Sequence, residues 1–162
     1  AYMQAMSAFV AQNIGARHPD RARKALGLSI LTSLAVGLLM AYLSFFHGDA
    51  LSALFSPDAQ VIAASQDYMR AYAIDCLLTS FLFCFMGYFN GCGKTVFVMA
   101  QGIAGAFCVR IPVSFLISRI PGVSLFAIGL ATPASTVVQI ALCALYYAHT
   151  RRAAAIPAGA RA

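Results

Sequence analysis

Four stretches of this sequence are long and apolar enough to cross a lipid bilayer as helices. Residues 25–46 carry no charge and end on Leu43-Ser44-Phe45-Phe46. Residues 71–93 are broken only by Asp75, residues 95–118 only by Arg110, and residues 122–148 by no charge at all. A spanning helix needs about 20 mostly apolar residues, and in hydrocarbon each backbone N–H and C=O must be satisfied inside the protein. The chain is therefore expected to be an all-α integral membrane protein. Composition agrees, because only 10% of the 162 residues are charged while 61% are apolar. A globular domain carries roughly 25% charge, and a disordered chain is far less apolar.

Residues 1–16 form a fifth uncharged run, read as the end of a helix whose beginning is missing, so the chain is expected to be a fragment. The expected spans are then 1–16, 25–46, 64–93, 95–118 and 122–148: four complete helices plus part of a fifth. They form one partial bundle over residues 1–152, followed by a cytoplasmic tail at 153–162. The connections alternate in charge. Arg17, Arg21, Arg23 and Lys24 crowd the first, residues 47–63 hold no Lys or Arg, Lys94 sits in the third, and Arg151, Arg152 and Arg161 follow the last span. By the positive-inside rule the first and third connections and the C-terminus face the cytoplasm, which the even span count permits. The net charge of +6 thus reads as topology in a multi-pass cell (inner) membrane protein, with no nucleic-acid partner expected. Tyr42, Phe45 and Phe46 at one level, and Tyr146 and Tyr147 at the other, suit the two headgroup belts.

Within the spans, Asp75 is the sharpest feature. A carboxylate at membrane depth is costly unless it is paired, protonated or facing water, so it marks a functional site by default. At 100° per residue, Tyr68, Tyr72, Asp75, Thr79 and Asn90 fall on one stripe about 60° wide. Asp75 with Tyr72 and Thr79 can ligand a hard cation or exchange a proton, whereas a purely structural Asp would be bonded to a neighbouring helix. Tyr68 and Asn90 are expected to line a cavity. The last span carries Thr132, Ser135, Thr136 and Gln139 on one face; Thr136 and Gln139 are cavity candidates, although such residues more often bind helix to helix. Pro133 and Pro112 predict kinks. Arg110 is expected to snorkel outward, with Asp75 as an alternative partner. Ser56-Pro57-Asp58 reads as a helix start after the outer loop, and residues 49–55 as a short interfacial turn.

Other chemistries find no support. The run from Gly87 to Thr95 mimics a phosphate-binding loop, but that pattern needs glycine where Tyr88 stands; Gly87-x-x-x-Gly91 instead permits close helix approach. The cysteines (76, 84, 92, 108 and 143) form no C-x-x-C pair, and His18, His47 and His149 sit at separate span ends. No enzyme, cofactor or metal centre is expected.

Gln12-Asn13-Ile14-Gly15-Ala16 leading to Arg21-Ala22 resembles the multidrug and toxic compound extrusion (MATE) family. Gly87-x-x-x-Gly91-x-Gly93-x-Thr95 and Gly129-x-Ala131-x-Pro133 fit the same family. The resemblance implies two six-helix bundles (6+6), this chain being the C-terminal bundle from the end of helix eight to helix twelve. The partners would be the bilayer, the missing N-terminal bundle of the same chain and small cationic or amphiphilic substrates. The family exports such compounds in exchange for sodium ions or protons, and in its sodium-coupled branch an Asp on the tenth helix, which Asp75 matches, belongs to the cation site. Phe83, Met86 and the tyrosines suit an amphiphile pocket without naming its ligand. The alternatives are a lipid-linked oligosaccharide flippase of the same fold, whose cavity would be lined by basic residues, and a non-transporting membrane assembly subunit.

Overall fold

The computed structural model describes residues 2–48, 58–120, 122 and 124–155. Among the described residues 90% are helical and none lies in a strand. The helices are α1 (Tyr2–Gly15), α2 (Pro19–Phe46), α3 (Ala59–Gly91), α4 (Thr95–Ala104), a π-helical turn (Gly105–Arg110), α5 (Ile111–Ser118), α6 (Leu125–Gly129) and α7 (Ala131–Ala155). Among the described residues four segments have the length and hydropathy of membrane spans: Pro19–Phe46, Ser65–Gly91, Thr95–Ser118 and Leu125–Arg151. Their apolar surface is mostly uncovered, with Leu31 66%, Phe107 65% and Leu145 68% exposed. Water would not tolerate such a continuous apolar surface, and lipid requires it.

The helices overrun the expected spans at the charged ends. α2 begins at Pro19, so Arg21, Arg23 and Lys24 lie in its first turns, and the connection from α1 shrinks to Ala16-Arg17-His18. Proline at the first helical position lacks only an N–H that would be orphaned there anyway. α3 begins at Ala59, directly after Asp58, and runs unbroken into the span. Ser56, Pro57 and the expected turn at 49–55 lie outside the described residues, as does the tail beyond Ala155.

Two of the hairpin turns are built alike. After α3 the Lys94 N–H reaches the Phe89 carbonyl and the Gly93 N–H the Asn90 carbonyl, with Gly93 at φ +73°. After α1 the His18 N–H reaches Asn13 and the Arg17 N–H reaches Ile14, with Arg17 at φ +60°. Both are the glycine-type helix stop that satisfies the last free carbonyls. Arg17 adopts that left-handed conformation without glycine's freedom.

Packing centres on α3, against which α1, α2, α4, α6 and α7 all lie. Its Gly87 and Gly91 admit the α1 backbone: a Cβ at Gly91 would stand 2.6 Å from the Ser7 carbonyl oxygen. The buried side chains at this crossing include Met6, Val10, Leu26, Cys84, Phe89 and Cys143.

Both prolines interrupt their spans as expected. Pro112 cannot donate to the preceding turn, and the six residues before Ile111 widen into the π-turn, with the Ile111 N–H reaching back to Ala106. Pro133 leaves Gly129 without its donor, and the helix breaks at Leu130 between α6 and α7.

Candidate functional site

Asp75 lies midway along α3 and is only 6% exposed. Its carboxylate accepts two hydroxyl hydrogen bonds from different helices. Thr79, one turn further along α3, donates to Oδ2 at 3.2 Å. Thr136 of α7, itself buried, donates to Oδ1 at 2.6 Å. The helical repeat explains the first contact, since residues four apart share a face. The second follows from the α6–α7 break, after which α7 presents Thr136 toward α3. Ion pairs among the described residues include Arg23–Asp20 and Arg70–Asp67, and none joins Asp75 to Arg110 or to another cation. Arg110 lies exposed at the end of the π-turn.

This is an acid dressed with hydroxyls. Each threonine oxygen keeps acceptor lone pairs while donating its proton, so carboxylate and hydroxyls together offer the all-oxygen surroundings that a hard cation takes. Among the described residues no three His, Cys, Asp or Glu side chains converge to hold a metal ion. One carboxylate with neutral oxygens suits an ion that must also leave.

The other expected residues divide. Tyr72, half-exposed one turn before Asp75, and Thr79 both line a cavity of about 310 Å³ between α1, α2 and α3, together with Tyr2, Ser33, Met40 and Phe83. Thr79 thus touches the acid on one side and the cavity on the other. Among the described residues no Lys or Arg lines this space. Met86 packs instead against the buried core. Tyr68 lays its ring against Gly129 of α6, where an added Cβ would stand 3.2 Å from it. Asn90 does not join the site. It shares the angular stripe, but fifteen residues of helix place it about 22 Å from Asp75, in the last turn of α3, where its carbonyl accepts from the Gly93 N–H. Gln139 does not reach the acid either: its amide donates to Ser135 at 3.2 Å, and Ser135 donates to the Gly105 carbonyl at 2.8 Å. The α7 stripe therefore acts as a clamp, Ser135 and Gln139 gripping the π-turn while the adjacent Thr136 grips α3.

Sequence reading gave Gln101 of α4 no role, yet it is 2% exposed and neither amide atom finds a partner among the described residues. A neutral amide in an apolar run adds no charge to flag it.

The sequence matches the MatE family over residues 1–116. It is 25% identical to Protein DETOXIFICATION 20 of Arabidopsis thaliana over 121 residues, which make up 75% of this chain and 25% of that protein. Protein DETOXIFICATION 22 of the same plant is 26% identical over 121 residues, 75% of this chain and 24% of that protein. No solved structure matches the chain. The chain spans about a quarter of the length of the curated relatives it matches. With the family match running from the first helix through the third complete span, the chain belongs to the MatE family.

Proposed function

We propose that the chain is the C-terminal part of a secondary antiporter that exports cationic or amphiphilic compounds in exchange for sodium ions or protons. It would work in the cell membrane with its C-terminus in the cytoplasm. The observation that carries this reading is Asp75, an acid at membrane depth held by hydroxyls from α3 and α7 and by no cation among the described residues. The Thr136 hydroxyl ties the acid to a neighbouring helix, as a structural Asp also would be tied; what favours an ion site is that among the described residues no cation neutralises the carboxylate. The adjoining cavity, apolar with tyrosine, serine and threonine handles, suits an amphiphile. Its lack of Lys and Arg disfavours the flippase alternative.

Ion and substrate are linked through conformation. A cation at Asp75 draws on oxygens from both α3 and α7 and so favours the arrangement in which those helices stand as they do here. Substrate binding favours another arrangement, and each ligand then weakens the other by the same factor. Moving such a switch from 1:99 to 99:1 takes about 5.5 kcal/mol of differential binding.

The test is flux through the complete protein in proteoliposomes. Ethidium is expected to move against its own gradient when an opposing sodium or proton gradient is imposed, and to stop when that gradient is collapsed. No coupled movement under either gradient, with correctly inserted protein, would favour the non-transporting assembly reading. Within the same assay Thr136→Val is expected to raise the ion concentration for half-maximal transport. A hydrogen bond to a charged group contributes about 1.5–3 kcal/mol, so the shift should exceed tenfold with substrate affinity largely kept.

A further inference from the structure

A second cavity lies at the C-terminal end of α3, several turns from Asp75. It occupies about 140 Å³ where the start of α2, the turn between α3 and α4, and the end of α7 meet. Among the described residues three cations line it, Arg23, Lys94 and Arg151, each from a different one of those places, and no acidic residue does. Tyr88, Tyr146 and Thr150 add hydroxyls. Arg23 does reach Asp20 at 3.3 Å, but that aspartate is 84% exposed, and such surface pairs are weak.

The floor of this cavity is fixed. Phe89 is buried beneath it, edge-on to Tyr146 at 5.3 Å and to Phe97 at 5.2 Å, while Phe97 and Tyr146 stack at 4.0 Å. Cys92, just past the end of α3, is pushed above its ordinary pKa chiefly by burial, which outweighs the Tyr88 hydrogen bond and the Lys94 charge. Its thiol therefore stays neutral at neutral pH and adds no negative charge. The result is a rigid, hydroxyl-bearing cup with a strongly positive rim.

We propose that this cup holds the phosphate of an anionic phospholipid headgroup. Size argues for a headgroup: a water needs about 10–15 Å³ on this scale, so the space takes a phosphate and its ester arms, whereas drug-sized pockets run to about 300–1,000 Å³. Depth argues for lipid over free phosphate. Tyr146 and Tyr147 stand at a span end where tyrosines mark the headgroup level. Val96, just after Lys94, and Leu145, just before Tyr146, are exposed apolar residues beside which acyl chains lie. Basic pockets between spanning helices are a recurrent solution for phosphate-bearing lipid heads. The proposal is independent of what the protein transports.

The complete protein, extracted from membranes mixing phosphatidylglycerol and phosphatidylcholine, should retain phosphatidylglycerol selectively in native mass spectrometry. The double variant Lys94→Gln/Arg151→Gln should lose that retention by about twenty-five-fold, at about fivefold per cation. Arg70→Gln/Arg119→Gln removes as much charge from outside the cavity and should keep it. Equal retention by the two double variants would overturn the proposal, as would equal retention of both lipids by the unmodified protein. Inorganic phosphate that raises the melting temperature as much as phosphatidylglycerol does would overturn the lipid as occupant. If Lys94→Gln/Arg151→Gln fails to fold, selectivity in the unmodified protein and its loss in high salt carry the test.

Discussion

Asp75→Asn is expected to abolish ion-driven export by the complete protein while leaving its level in the membrane unchanged. Asparagine matches aspartate closely in shape, and its amide oxygen can still accept from Thr136, the 2.6 Å contact that ties α3 to α7. What is lost is the negative charge. At an effective dielectric of 20, a unit pair 4 Å apart is worth about 4 kcal/mol, or about three decades of ion affinity. No neighbouring group replaces it, because the other ligands are neutral threonine hydroxyls. The measurement is ethidium efflux from cells or proteoliposomes, with membrane abundance followed by immunoblot. Unimpaired efflux would remove Asp75 from the coupling site. Lost efflux with lost protein would point to a structural acid instead, and Thr136→Val separates the cases by shifting ion dependence without removing the charge.

The spans were legible because lipid imposes a crude requirement, namely length and apolarity, that a linear sequence displays directly. Asp75 was legible for the same reason, as the charge that breaks the requirement. What lipid hides is direction. In water an amphipathic stripe shows which face is buried; here the buried Cys84 and Phe89 and the exposed Leu31 and Leu145 are all apolar. Gln101 could therefore not be assigned to the interior before the helices were placed. The angular stripe on α3 gathered Asn90 with Asp75 because a helical wheel discards distance along the axis. On α7 the stripe was visible but its division was not, since Ser135 turns to the π-turn and Thr136 to α3, neighbours that only the placed helices bring alongside. Proline announced both irregularities by position, but the sequence did not show that one would be a π-turn, nor that Gln139 would pack its amide where a side chain at Gly105 would stand.

Gly91→Val is expected to destroy the fold of the bundle, and a graded series locates the reason. At Gly91 even a methyl group would lie 2.6 Å from the Ser7 carbonyl oxygen and 2.6 Å from the Val10 Cβ. The first of these is backbone, so no rotamer change relieves it; α1 as a whole must withdraw from α3, opening the contact that buries Val10 and Met6. Overpacking a core costs about 1–3 kcal/mol where side chains can give, and more where they cannot. Gly87→Ala should cost less, its Cβ falling 2.9 Å from the Met3 carbonyl and 3.1 Å from the Met6 Cβ. Gly102→Ala meets nothing within 4 Å and should be neutral or gain up to about 1 kcal/mol from helix propensity. Melting temperature in detergent should therefore fall in the order Gly102→Ala, Gly87→Ala, Gly91→Ala, with Gly91→Val yielding little folded protein. A Gly91→Ala protein as stable as Gly102→Ala would show that α1 does not pack on α3 through this glycine, and the core built around Val10 would have to be redrawn.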